Sequence, residues 1–303
     1  MRRIAALMFV SIALIVSVGV IYTYQEIVSM RVERVTDDVH VIFGQGGNVG
    51  VLRTDEGAVV VDTMTFRLQG RRVRELADDL AGPPQAIINT HYHFDHTHGN
   101  PAFASGIVVV ATQRTLAYMD AFDASYWEGG ASGTLPNDVF ENEHELRVGD
   151  KTVRLIRPGR GHTDGDLVAL FVEDRVVHMG DLFFNGRYPN IDLEAGGSVR
   201  EWAATLDRVF ELEFDVVIPG HGPVTDRAGL LEFQHFIRQL AELGAQAARA
   251  GLSLEETQAR ALLDADAGYE VIAIPFVIRL DREFVIRRAW EEATGNVRRV
   301  ELH

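Results

Sequence analysis

The run His91-Tyr92-His93-Phe94-Asp95-His96 gathers three imidazoles and a carboxylate, and three more ligand-type side chains, His162, Asp181 and His221, each follow an apolar run. Each of these three stands directly after a glycine: Gly161, Gly180 and Gly220. A glycine there lets the chain turn sharply as it leaves a strand and brings backbone close to a buried ion. All seven side chains would then project from one edge of a sheet. Zinc is usually four-coordinate and a catalytic site keeps one position open for water, so seven protein ligands are too many for one ion. Two ions fit. Imidazole mixed with carboxylate and no thiolate favours Zn2+, two per chain, with iron or manganese as alternatives.

Such a site needs strands that deliver the ligands and helices that cover the strands. Val32 to Phe43 opens the domain with β-branched residues, and Gly44-Gln45-Gly46-Gly47-Asn48 reads as a hairpin loop before strands over Val49 to Arg53 and Ala58 to Val61, closed by Asp62. The spacing predicts a helix from Arg67 to Leu80, stopped by Gly82-Pro83-Pro84, and a strand from Ala86 to Asn89 that leads to His91. A helix around Thr112 to Ala121 follows, then a Gly- and aromatic-bearing segment, Asp123 to Asp138, without clear periodicity. Strands are expected at Val139 to Val148 with an interruption, Thr152 to Ile156, Leu167 to Val172, Arg175 to Met179 and Asp215 to Ile218, with a helix over Ser198 to Glu211. Beyond Asp226 the periodicity is helical, with a capping box at Ser253 to Glu256 and a final helix over Phe276 to Ala293. The domain division expected is 1–30, an N-terminal segment; 31–225, a layered α/β catalytic domain; and 226–303, a C-terminal helical extension.

Composition narrows the partners. The chain has 303 residues, a formal net charge of −15 and 47% hydrophobic residues. With no Lys/Arg run to track a phosphate backbone, nucleic acid is excluded as an expected partner, and a small molecule remains. The absence of cysteine rules out disulfides and thiolate ligands. At the N-terminus, Met1-Arg2-Arg3 precedes an uncharged apolar stretch from Ile4 to Tyr22. That length suits an uncleaved anchor or a signal segment, both of which send the rest of the chain across a membrane, or alternatively a buried helix. The location expected from it is periplasmic or extracytoplasmic, membrane-anchored if uncleaved and secreted if cleaved.

Five blocks resemble the metallo-β-lactamase superfamily: the HxHxDH run, Gly161-His162-Thr163, Gly180-Asp181, Pro219-Gly220-His221-Gly222, and Val60-Val61-Asp62-Thr63. They span most of Val32 to Val224. The resemblance implies an αββα sandwich of two mixed sheets between helical layers. It also implies a division of ligands: His91, His93 and His162 on one metal, Asp95, His96 and His221 on the other, Asp181 bridging, and Asp62 holding a ligand loop by hydrogen bonds. Lacking the cysteine ligand of the best-known antibiotic-hydrolysing members, and carrying the bridging Asp181, the chain is similar instead to thioesterase-like and general metallohydrolases. Flavodiiron members carry Glu where His93 stands. The segment Gly180 to Gly197 and the helical tail loosely resemble exported quinoprotein-associated members.

The chemistry so implied is that of a dinuclear zinc-dependent hydrolase, in which a metal-bridging hydroxide attacks an ester, thioester, lactone or amide carbonyl. β-Lactam hydrolysis is not favoured as a dedicated role. Asp95 and Asp181 are the catalytic carboxylates, Asp95 assisting proton transfer to the leaving group. A centre left about +1 by its ligand tally would accept an anionic substrate group. Tyr126 and Trp127 read as either a hydrophobic lid or packed loop aromatics, and Asn48, Asn185, Arg187 and Tyr188 as candidates to orient polar groups. Asp164 and Asp166 either support the His162 loop or shape its turn. His98 and His178 occupy no ligand position in the motif. The alternative from another reaction class is a mononuclear iron-dependent dioxygenase of the persulfide dioxygenase type.

Overall fold

Along most strands of this protein, successive side chains enter two different cores, and that alternation builds the layers. In a computed structural model, which describes residues 25, 27–274, 278–300 and 302, seven strands form the first sheet in sequence order. They are β1 (Arg31–Arg34), β2 (Val39–Phe43), β3 (Val49–Thr54), β4 (Gly57–Val61), β5 (Pro84–Ile88), β6 (Val108–Thr112) and β7 (Asp138–Phe140). The first four are antiparallel neighbours; from β4 to β7 pairing is parallel. The second sheet has the order β13-β12-β11-β10-β9-β8, built from β8 (Glu143–Val148), β9 (Lys151–Ile156), β10 (Val168–Phe171), β11 (Val176–His178), β12 (Val216–Ile218) and β13 (Thr225–Asp226). Both sheets are mixed. Val59, Val61, Ile88 and Val110 of the first sheet meet Leu155, Ala169, Phe171, Val176 and Ile218 of the second in a central core. Their neighbours point the other way: Ala58, Val60, Ile87 and Val109 pack under helix α1 (Arg67–Ala81), and Val168, Leu170 and Val177 pack under the helices on the far side. Burial on both faces explains why these strands read as continuous apolar runs.

Three further helices lie between the sheets' strands in sequence: α2 (Phe94–Thr97), α3 (Gln113–Asp123) and α4 (Val199–Phe210). The chain closes with α5 (Arg227–Ala250), α6 (Leu254–Arg260) and α7 (Arg282–Thr294). Leu230, Phe233, Phe236, Ile237 and Leu240 of α5 share a core with Trp202 and Leu206 of α4 and Val285 and Ile286 of α7. This is the αββα sandwich expected, with helices continuing past it. Ser253 accepts from the Glu256 N–H and Glu256 accepts from the Ser253 N–H, the capping box read in the sequence.

Two expectations are corrected. The helix drawn over Phe276 to Ala293 is shorter, because Ile272–Ile274 pairs antiparallel with Ile278–Leu280 as strands β14 and β15. The Asp281 carboxylate, accepting the Phe284 N–H at 3.0 Å, starts the helix only at Arg282. The extracytoplasmic, anchored location is also overturned: among the described residues no helix is long and apolar enough to cross a membrane. The stretch from Ile4 to Tyr22 that prompted it lies outside the described residues.

Candidate metal centre

The ligands leave the carboxyl ends of adjacent strands. β4 leads into Asp62, β5 into Asn89-Thr90-His91, β11 into Gly180-Asp181, and β12 into Gly220-His221. Gly180 has φ +50°, and a Cβ there would lie 2.6 Å from Thr90 Cβ; a Cβ on Gly220 would lie 2.1 Å from Asp181 Oδ1. Only glycine lets these turns approach each other so closely. His162 reaches the same edge from the loop after β9, and one turn of helix, α2, carries Asp95 and His96.

Two groups of donor atoms converge. His91, His93, His162 and Asp181 form one, and Asp95, His96 and His221 the other, the ligand atoms of each lying within 4.8 Å of one another. Asp181 faces both: Oδ2 is 3.8 Å from His91 Nε2 and 3.7 Å from His162 Nε2, while Oδ1 is 3.1 Å from His96 Nε2 and 3.4 Å from His221 Nε2. Asp95 Oδ2 is 3.3 Å from His221 Nε2 and 3.7 Å from His96 Nε2.

Hydrogen-bond partners on the outer side of the rings decide which nitrogens carry protons. His162 Nδ1 is 3.0 Å from the carbonyl of Asn190, which can only accept, so the proton is on Nδ1 and the Nε2 lone pair points inward. His93 donates through Nε2 to the Asp192 carboxylate at 3.1 Å and turns the Nδ1 lone pair inward. Thr90 spends its hydroxyl proton on Asp62 at 2.8 Å, and its oxygen accepts from His91 Nδ1 at 3.1 Å, so His91 Nε2 also presents a lone pair. The inward nitrogens of His93 and His162 are then 2.8 Å apart, and those of His91 and His93 3.1 Å. Lone pairs repel at such distances unless a cation sits among them. Asp181 Oδ1, moreover, is buried and, although close to His96 and His221 Nε2, makes no aligned hydrogen bond among the described residues. These donors fit divalent ions, and the outer partners are what orient metal-bound histidines generally.

Asp62 is fully buried and accepts from the Thr90 N–H at 2.9 Å and from His96 Nδ1 at 2.7 Å. Its φ of +64° points the carboxylate back between the β5 and α2 loops. With only the protein's own groups counted, burial pushes the His91 imidazolium well down and that of His162 down to about 4. For His221, burial is outweighed by Asp181 and Asp95, which hold it up at about 9; His96, despite burial, is held well above its ordinary value by Asp181, Asp95 and Asp62. The second group thus calls for positive charge where the first presents bare lone pairs. A divalent ion at each place answers both demands.

Other residues singled out in the sequence fall in distinct places. Asn48 is buried, and its side-chain amide donates to the carbonyls of Pro219 and Gly222, both at 2.8 Å, on either side of His221. Asn185 donates to Pro223 O at 2.8 Å, bracing the same loop. Arg187 lies 3.6 Å from Glu270, and the Tyr188 hydroxyl donates to Asp266 at 3.0 Å, which ties both to the C-terminal segment. Trp127 is buried, and Tyr126 stacks on His98 at 3.5 Å between centroids and donates to the His98 carbonyl. Asp166 accepts from the Thr163 N–H at 2.8 Å and shapes the His162 turn; Asp164 pairs with Arg114 at 3.0 Å. Sequence reasoning missed Asp192, which holds both His93 and the Tyr92 hydroxyl. A lone aspartate in a loop 99 residues from its partner carries no local signal. It missed His178 too: its Nδ1 accepts the Gly180 N–H at 3.2 Å and its Nε2 donates to Asn48 O at 3.1 Å.

The metallo-beta-lactamase superfamily model matches residues 42–221, from within β2 to the last ligand. The chain belongs to the metallo-beta-lactamase superfamily. It is 27% identical over 179 residues to the 2,4-dinitroanisole O-demethylase subunit alpha of Nocardioides sp. (strain JS1661), covering 57% of this chain and 53% of that protein. It thus spans about half the length of that relative. It is 23% identical over 211 residues to the acyl-coenzyme A thioesterase MBLAC2 of Homo sapiens, covering 59% of this chain and 74% of that one. Among solved structures, a double mutant of the sec-alkyl sulfatase PisA1 superposes with a TM-score of 0.71 at 15% identity, over 89% of this chain and 51% of that one. By fold and family the chain is a member of this superfamily, and its histidine–aspartate cluster is suited to hold metal.

Proposed function

We propose that this superfamily member is a dinuclear zinc hydrolase that cleaves a carbonyl-type bond, an ester, thioester, lactone or amide, in a small molecule. The observation that supports it most is Asp181, whose two carboxylate oxygens face separate groups of imidazole nitrogens. Two zinc ions bound there would supply Lewis acidity and a water acidic enough to ionise near neutral pH. The protein's own part is positional and protonic. His91, His93 and His162 are held in fixed tautomers, so their donor atoms need no reorganisation. Asp95, held at about 2 by His96 and His221 despite its burial, is ionised at neutral pH. Its Oδ2 can accept the proton of the attacking water and return it to the leaving group. Thioester cleavage is named for one relative and sulfate-ester cleavage for a structural neighbour, so both bond types belong in the test alongside lactones and β-lactams. A one-iron dioxygenase would have no use for the complete second group, Asp95, His96 and His221.

Metal analysis of protein purified without added metal should give close to two zinc per chain. A hydrolysis panel on the zinc-loaded protein should find turnover that Asp181→Ala lowers by ~100-fold or more. One tightly bound iron with no hydrolysis of any panel member would overturn the reading.

A further inference from the structure

The sequence holds 16 phenylalanines, and among the described residues only Phe66, Phe94 and Phe122 are exposed, at 46%, 40% and 43%. All three border the loop that carries the first four ligands. Phe94 lies between His93 and Asp95, its ring 6.0 Å from that of His98. Phe122, near the end of α3, stacks on Tyr92 at 5.4 Å and 20°, and the Tyr92 ring lies 4.4 Å from that of His93. Phe66 precedes α1 and follows Thr65; a Cβ on Gly46 would lie 2.8 Å from Thr65 Oγ1 and 3.0 Å from the Asp95 carbonyl, so the loop before Phe66 adjoins that carbonyl. Polar atoms nearby are already engaged: the Tyr92 hydroxyl with Asp192, the Tyr126 hydroxyl with the His98 carbonyl, and the His98 ring with Asp123. Apart from the exposed guanidinium of Arg67, next to Phe66, what this border offers a ligand is aromatic carbon.

Scattered exposed apolar residues are ordinary, but a grouping around a chemical site marks a binding surface. Three rings fall far short of the roughly 800 Å² per partner that a stable protein interface needs. We propose that Phe66, Phe94 and Phe122 form an apolar rim that seats an unbranched hydrocarbon chain of the substrate, so that the preferred substrates are acyl esters or thioesters with a chain of several methylenes. The choice of acyl compounds rests on the hydrolytic reading of the metal centre; the rim itself does not.

Straight-chain carboxylates test the rim by binding alone, since such acids are what acyl hydrolysis releases. Titration calorimetry on the zinc-loaded chain should show affinity rising roughly twofold per added methylene, about half the effect of full burial, or ~16-fold from butanoate to octanoate. Phe94→Ser/Phe122→Ser should remove most of that rise and leave butanoate affinity and zinc content unchanged. Phe94→Leu/Phe122→Leu should restore it, and Val139→Ser, an exposed apolar site on β7, should change nothing. A wild-type protein indifferent to chain length, or a serine variant that keeps the full rise, overturns the rim. A length-dependent protein that hydrolyses no acyl compound would instead overturn the hydrolytic reading and leave the rim standing.

Discussion

At the scale of single residues, the centre depends as much on carboxylates that touch no ion as on those that would. Asp62 fixes His96 and, through Thr90, His91; Asp192 fixes His93. Burial alone would raise the Asp192 carboxyl, yet hydrogen bonds from His93, Tyr92 and the Ala195 N–H hold it far below its ordinary range. Replacing either acid by its amide keeps the shape but introduces a donor and removes the charge. Asp62→Asn should therefore weaken zinc binding ~10–100-fold, chiefly at the Asp95–His96–His221 position, and Asp192→Asn should do the same at the His91–His93–His162 position. Competition against a chelating dye, read as two separate affinities, checks the split. Equal effects on both ions would show that the outer partners do not act on separate halves.

At the scale of elements, the turns after β11 and β12 that carry Asp181 and His221 are fastened to the hairpin loop before β3. His178 links the Gly180 N–H to the Asn48 carbonyl, and Asn48 holds the carbonyls of Pro219, Gly220 and Gly222. Asn48→Ala removes two of those bonds beside His221 and should release one of the two zinc ions while moving the melting temperature little. Zinc stoichiometry by mass spectrometry against differential scanning calorimetry distinguishes this from general destabilisation. On the far side of the sandwich, Lys151 at the start of β9 holds Asp38 of the β1–β2 turn at 2.8 Å and Asp174 of the β10–β11 turn at 2.9 Å, so it clamps one sheet to the other. Burial would lower its pKa, but hydrogen bonds to Asp38 and Asp174 lift it from 10.5 to about 12. A cation with a raised folded pKa stabilises fully below its unfolded value, so this contribution is constant up to about pH 10.5 and is lost as pH passes about 12. Lys151→Met leaves two half-buried carboxylates without their shared cation and should cost about 1 kcal/mol by denaturant titration at pH 7.

At the scale of the whole molecule, the helices after residue 225 are part of the support behind the metal centre. Phe233 of α5 packs 5.2 Å from Phe183 and 5.7 Å from Trp202, and Phe184, the next residue in the chain, stacks on His221 at 5.1 Å. Arg282 holds the buried Asp266, which in turn accepts from Tyr188. A protein ending at Thr225 would expose Phe183, Trp202, Leu206 and Phe214, each worth roughly 1.5–3 kcal/mol of lost burial. It should aggregate on size-exclusion chromatography and retain no zinc. A monomeric, zinc-loaded truncation would show that 31–225 stands alone.

Local chemistry in the sequence was enough to pick out the seven side chains that the structure gathers into two clusters, the strand–glycine pattern that brings them together, and the layered α/β class. Hydrophobic alternation and glycine turns are short-range properties, and each is written within a few residues. What holds those donors in place is long-range: Asp62 meets His96 across 34 positions, Asp192 meets His93 across 99, and Asn48 meets Pro219 across 171. No spacing rule marks such pairs, because an acceptor is chosen by where two loops land and not by its neighbours in the chain. For the same reason Asn48 and Tyr188 looked like free polar groups and turned out to be engaged, and Phe66, Phe94 and Phe122 looked like three among many aromatics. Only packing, by burying the other described phenylalanines wholly or in part, left these three exposed at the edge of the site.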